Sequence, residues 1–335
     1  MSTSRSRNVY LDIFKFFLCY LVISIHLAGE TYSHFPLYRL AVPMFFIISG
    51  YFNRASKELA EKSSVGFIKR TFRYMIAGFL LYIIFDFVMC YVDGHGVGYY
   101  FTTLFYEDFL LEFFILCRPI TYTGSQLWFL IALFIVSLIH FALVKFDKLH
   151  YYKVIVPICY CIYFFFAGYM YLLQDTDMPI RYTRNALFFG LPNFGLGYLL
   201  AGVDFHKKRW YKYLYLVFGI LFFYLQIHEY HLVKTQYCSL EMYWCGILSA
   251  VFLLQFFLGI KNSRCDFYYK WIGKNASFWV YILHMAVAVV LAKFVSFSNL
   301  MVKSFFVLII SFAVYEIAYL TVMALKAIKG KTVNT

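Results

Sequence analysis

The chain has 335 residues, 63% of them hydrophobic and 14% charged, against the ~25% charged of an ordinary soluble domain. Aromatic residues reach 23%, with 41 Phe and 32 Tyr, which suits lipid-facing surfaces and interfacial belts better than a soluble core. A net charge of +13 would suit nucleic acid if it formed one polar patch, but here it is divided among short loops that leave no room for a sizeable soluble domain.

Windows of ~20 apolar residues mark candidate spans. They fall near 9–28, 37–53, 71–92, 126–145, 151–173, 185–203, 211–228, 241–259, 276–296 and 302–326. The expectation is an all-α bundle of about ten transmembrane helices, forming one integral-membrane domain over 1–335. The first run carries Asp12 and Lys15, and no small-residue cleavage pattern follows it, so it reads as a retained span.

Taken in chain order, the first span holds Asp12, Lys15 and His26. Eleven residues at ~100° each bring Lys15 and His26 to within ~20° on one stripe, ~16 Å apart along the axis. Asp12, three residues before Lys15, faces nearly the same way and is placed to pair with it. Ionisable side chains inside a membrane are costly, so each is a functional candidate. The bland alternative is a lysine snorkelling to one interface and a histidine bonded to a loop at the other. Just beyond His26 lie Glu30 and His34, and the second span opens on Arg39.

The segment 54–70 is polar, with Lys57, Glu58, Glu61 and Lys62 spaced as in a short surface helix, and the third span then opens on Lys69, Arg70 and Arg73. At a helix start this basic cluster would oppose the macrodipole, so an anion is expected to compensate. Two guanidinium forks at i and i+3 suit phosphate, whether of a specific ligand or of lipid headgroups. The longest loop, 93–125, carries Glu107, Asp108 and Glu112 on one arc of a helical projection, which predicts an amphipathic or re-entrant helix.

Arg184 precedes a span whose Pro192, Gly190, Gly195 and Gly197 predict a kinked helix packed closely on its neighbours. Arg39 and Arg184 read either as contacts for an anionic or sugar substrate or as interface anchors. The ninth span holds His284, either a structural hydrogen-bonder or part of a site.

Ten crossings make the loops alternate sides. The N-terminal side then collects most of the lysines and arginines, whereas the opposite loops hold only Arg118, Arg181, Arg184 and Lys234. The positive-inside rule makes both termini cytoplasmic. The eight cysteines are scattered, without CxxC or metal-ligand spacing, and read as small apolar residues with no metal role.

With these residues in view, the chain resembles the integral-membrane acyltransferase 3 family over most of its length. The resemblance is clearest in Tyr10-Leu11-Asp12-Ile13-Phe14-Lys15 running on to His26, then in Val42-Pro43-Met44-Phe45-Phe46-Ile47-Ile48-Ser49-Gly50-Tyr51. That family carries a basic residue, ten intervening residues and a His in its first helix, and an Arg-x-x-Arg motif that Arg70 and Arg73 match. Leu127-Trp128-Phe129-Leu130, Gly195-Leu196-Gly197-Tyr198 and Tyr281 to His284 are weaker echoes. Lys15 stands where Arg is also common, so a bidentate contact does not carry over.

The resemblance implies transfer of an acyl group, usually acetyl, from cytoplasmic acetyl-CoA or another acyl-CoA. The acceptor would be a hydroxyl of an extracytoplasmic glycan such as capsule, exopolysaccharide or cell-wall polymer, or a lipid-linked saccharide, at a bacterial plasma membrane. Arg70 and Arg73, with Lys69, would hold CoA phosphates. His26 would act as general base or carry the acyl group, with Lys15 and Asp12 in support. Glu30, His34, Arg39, Arg184, Trp128 and His284 would contact the acceptor side. The same buried charges also admit a transporter of a polysaccharide intermediate, but such proteins show repeated halves with matching broken helices, and this sequence shows none.

Overall fold

The structure, a computed structural model, describes residues 8–28, 35–94, 109–166, 183–203, 205, 208, 210–233, 240–260 and 275–332. Among them every regular element is helical, and there is no strand. In chain order the helices are α1 (Val9–Leu27), α2 (Ala41–Asn53), α3 (Lys57–Val92), α4 (Phe109–Phe114) and α5 (Trp128–Lys145). They continue with α6 (Tyr152–Phe164), α7 (Leu191–Leu200), α8 (Tyr211–Val233), α9 (Trp244–Gly259), α10 (Ala276–Phe294) and α11 (Leu300–Thr332). A helix lies on each expected span. Six are long and apolar enough to cross a membrane: α1, α3, α5 with its preceding 3-10 turn, α8, α10 and α11. The described parts of α6, α7 and α9 are apolar and shorter.

The chain divides into two compact units, one of 1–33 with 260–335 and one of 34–259. In the first, α1 packs against both α10 and α11, and those two against each other. Asn8 caps α1 by accepting from the Leu11 amide at 3.1 Å, and Asp12 in the first turn complements the positive helix end. The Cys19 thiol donates to the Ser277 carbonyl at 3.1 Å, stitching α1 to the start of α10.

The second unit contains α2 through α9 and is organised by close approach at glycines. A Cβ at Gly197 of α7 would run into the Ile47 carbonyl of α2, and one at Gly50 of α2 into the Phe194 carbonyl of α7. The two backbones therefore meet through small residues, the contact that apolar helices use where water supplies no driving force. Before α7 the chain makes a π-helical turn, Ala186–Gly190, opened by Asn185, whose side chain accepts from the amides of Leu187 and Phe188 at 2.9 Å each. The interruption expected here is present as this wide turn running directly into Pro192 in the first turn of α7.

The helix expected separately over 54–70 is not separate. It is continuous with the following span in the 36-residue α3, because nothing between Lys57 and Arg73 breaks a helix; the one glycine, Gly66, meets no neighbour. The basic cluster thus lies more than three turns inside a helix, and the macrodipole argument for an anion at its N-terminus does not apply. Of the long loop, α4 and the turns after it are described; Glu107 and Asp108 lie outside the described residues.

Candidate functional site

In the first unit the sequence places one imidazole near the end of α1 and another inside α10, and packing brings them together. The ring centroids of His26 and His284 are 5.4 Å apart, with planes tilted by 37°. His26 is half-buried, whereas His284 is 1% exposed. The Nδ1 of His284 lies 2.6 Å from the Tyr281 carbonyl one turn earlier. A carbonyl only accepts, so Nδ1 carries a proton, and in the neutral tautomer that this sets the lone pair lies at Nε2. That Nε2 is buried and has no hydrogen-bond partner among the described residues. A buried acceptor left open beside a second imidazole is costly as architecture and useful as chemistry.

Lys15 and Asp12 form the expected pair, Nζ to Oδ1 3.0 Å, at i and i+3 on α1. The helical rise puts this pair ~16 Å along the axis from His26. Proximity therefore joins His26 to His284, a residue 258 positions away in the chain, and not to its motif partner Lys15. Glu30 and His34 lie outside the described residues.

In the second unit, Lys69, Arg70 and Arg73 are all exposed on α3. The Arg70 guanidinium sits 5.6 Å from the Phe67 ring centroid, and Arg73 donates through Nε to the Lys69 carbonyl at 3.1 Å. Both arginines are exposed, and α3 fixes their spacing at i and i+3.

At the far end of α3 a second group of charges converges. Arg39, on the 3-10 turn Tyr38–Leu40, is buried and hydrogen-bonded to Oε2 of the equally buried Glu241. The Glu241 amide donates to the Tyr163 hydroxyl at 3.0 Å, holding the acid in place. Its other oxygen, Oε1, is 3.6 Å from Nη1 of Arg184, whose guanidinium lies 5.3 Å from the Trp128 ring centroid. Trp128 and Arg184 line a cleft of about 350 Å³ together with Glu112, Arg118, Cys117 and Ser125. Glu112 and Arg118 are ion-paired with each other. Four expected residues thus have clear places: Trp128 and Arg184 at a cleft, Arg39 behind them within the protein, and His284 in the other unit against His26.

Three acids escaped the sequence reading. Glu241 anchors both arginines. Asp86, buried near the end of α3, accepts from the Tyr122 amide at 2.7 Å, the Thr123 amide at 3.2 Å and the Thr123 hydroxyl, fixing the turn that leads into Trp128. Glu229 on α8 accepts from the Trp244 and Cys245 amides at 2.8 Å each, supplying the cap of α9 from a neighbouring helix. The signal was available, since a carboxylate within or beside an apolar span needs a partner. The partners were not, because they lie 15 to 202 residues away. Among the described residues no three His, Cys, Asp or Glu side chains gather as a metal site would require.

Comparison with known proteins bears on what these groups do. No solved structure matches the chain. A curated amino-acid racemase of Enterococcus faecalis is 29% identical over 236 residues, covering 63% of this chain and 31% of that protein. The chain therefore spans about a third of the length of that relative. The profile of the acyltransferase domain matches residues 8–320, nearly all of the chain and every helix that carries His26, His284, Arg70 and Arg73. With a helical fold, apolar spans and a match of that extent, the chain belongs to the acyltransferase 3 family.

Proposed function

We propose that the chain is a membrane O-acyltransferase that moves an acetyl group from cytoplasmic acetyl-CoA to a hydroxyl of an extracytoplasmic glycan. The observation that carries this reading is the His26–His284 pair, because it supplies what transfer to a hydroxyl needs. That need is a half-exposed imidazole able to take a proton at neutral pH, backed by a fixed acceptor. The acceptor oxygen attacks the thioester carbonyl carbon and its proton passes to His26. The new C–O bond forms, the C–S bond breaks, and the proton leaves with the CoA thiolate. His284, with its open Nε2 beside the His26 ring, is assigned to receive the other N–H of His26 when that ring turns toward it, and so to orient it as the carboxylate does in a Ser-His-Asp triad.

Arg70 and Arg73, exposed and one turn apart, are assigned to CoA phosphates, with Lys69 beside them. Lys15, set by Asp12, is assigned to an anionic part of the donor along its path. Glu30 and His34 are assigned to the acceptor from their place in the sequence. The bundle is proposed to cross a bacterial plasma membrane ten times with both termini cytoplasmic. In that arrangement the shorter helices α2, α6, α7 and α9 span within the protein, where packing rather than length satisfies the backbone.

The test supplies labelled acetyl-CoA to inverted vesicles and follows label into glycan. His26→Ala is expected to abolish transfer while the protein still inserts. His284→Ala is expected to lower kcat about 100-fold with the KM for acetyl-CoA unchanged, and His284→Gln, which keeps an acceptor, to recover part of it. Full turnover in His26→Ala, or glycan movement without acylation, would overturn the assignment.

A further inference from the structure

The cleft at the far end of α3 is lined by two guanidinium groups, Arg118 and Arg184, and by the carboxylate of Glu112. Arg118 is paired with Glu112, and both line the cleft. Behind the wall, Arg39 and Arg184 share the single carboxylate of Glu241, and Arg39 has the hydrogen bond. At 3.6 Å the Arg184 contact is electrostatic and too long to be a hydrogen bond. Of the two arginines at Glu241, Arg184 has the longer contact and is the one that lines the cleft.

The geometry of Arg184 suits a ligand better than it suits structure. Its guanidinium lies over the Trp128 ring, a contact that does not itself occupy the N–H edge. Its side chain is 34% exposed, on the cleft side, and it makes no hydrogen bond among the described residues. A planar fork held by an indole face is the arrangement that receives the two oxygens of a carboxylate or phosphate. Leu116, Pro119 and the buried Trp128 keep the surroundings apolar, which strengthens an ionic contact over its value in water. Glu112 and the Ser125 hydroxyl add acceptors for hydroxyl groups. A volume of about 350 Å³ is at the small end of ligand sites and takes about one sugar ring with its substituents.

Position separates this cleft from the donor phosphates. Asp86, which ties α3 to the turn before Trp128, is thirteen residues beyond Arg73, so ~20 Å of helix separates the Arg70/Arg73 pair from the cleft end of α3.

We propose that this cleft is a subsite for one oxyanion, the carboxylate or phosphate of an acidic saccharide unit or of an anionic lipid headgroup, bound through Arg184. That the bearer is the acyl acceptor rests on the function proposed above; the oxyanion site does not.

The test measures binding without turnover, so its outcome is independent of whether acyl transfer occurs. Full-length protein in phosphatidylcholine nanodiscs is titrated calorimetrically with tri-galacturonate and with its carboxyl-reduced, neutral counterpart. A saccharide source predicts that the acid binds about tenfold to a hundredfold more tightly than the neutral sugar, and that Arg184→Gln erases the difference. A headgroup source predicts no such preference, but Arg184-dependent retention of phosphatidylglycerol when that lipid is included, read by native mass spectrometry. Either result supports the oxyanion site. Equal binding of acid and neutral sugar together with Arg184-independent lipid retention would overturn it. Arg118→Gln and Ser125→Leu, which leave the Glu241 cluster intact, serve if Arg184→Gln fails to fold; each is expected to weaken the anion, and anion binding unchanged in both would also overturn the proposal.

Discussion

Within the cleft, Cys117 shows how a single side chain reports on its surroundings. It is 0% exposed, with a backbone φ of 55° that a residue other than glycine adopts only when its neighbours hold it there. Burial pushes its thiol up to about 12, against a weaker opposing hydrogen bond from the Ala186 backbone. The thiolate is the reactive form, so at pH 8 the folded protein should leave Cys117 unmodified by iodoacetamide, and unfolding in detergent should expose it. Peptide mapping after labelling checks this. Rapid native labelling would mean that the 117–125 segment opens, and the cleft wall with it.

Among the helices, two contacts carry unequal weight for reasons visible in their atoms. Gly197 meets the Ile47 carbonyl so closely that any Cβ must displace backbone, which cannot yield as a flexible side chain can. Gly197→Val should therefore separate α2 from α7 and destabilise the protein by about 1–3 kcal/mol, read as a lower midpoint of thermal unfolding in detergent. Gly66 has open space around it, and Gly66→Ala in α3 serves as the control, expected to be neutral or mildly stabilising. Glu229 is the second contact. It satisfies two amides at the start of α9 that have no partner within their own helix. Glu229→Ala leaves both donors unpaired, and a loss of about 1–3 kcal/mol is expected in the same assay, with Glu229→Gln losing less because one oxygen remains to accept.

Across the whole molecule, the proposed ten crossings make a statement about sidedness that fusions can read. A fluorescent protein that folds only in the cytoplasm, fused after Thr335, should be bright, and the same fusion placed after Asp93 should be dark. A dark C-terminal fusion would mean an odd number of crossings or the opposite orientation, and a bright fusion after Asp93 would remove the cytoplasmic position assigned to Arg70 and Arg73. The pairing of the first 33 residues with those after 259 in one unit also means that α1 acquires its partners only after the rest of the chain is made. A protein truncated before α10 is therefore expected to lack the His26 environment altogether.

What the sequence determined by itself was the set of helices and the chemistry they carry. Apolar runs dictate helix in a membrane because no other local structure satisfies the backbone there, so α1, α5, α8 and α10 were legible within a few residues. The Asp12–Lys15 pair was legible too, since i and i+3 positions meet on any helix. Boundaries set by absence were harder. The polar start of α3 looked like a separate element because hydropathy changes at residue 70, although helix propensity does not. Tertiary structure alone decided which side chains meet. His26 finds His284 across 258 residues, Arg39 finds Glu241 across 202, and Arg184 reaches Trp128 across 56. Periodicity assigns a residue to a face of its own helix but says nothing of which other helix that face will touch. For a site assembled from several helices, that second fact settles the chemistry.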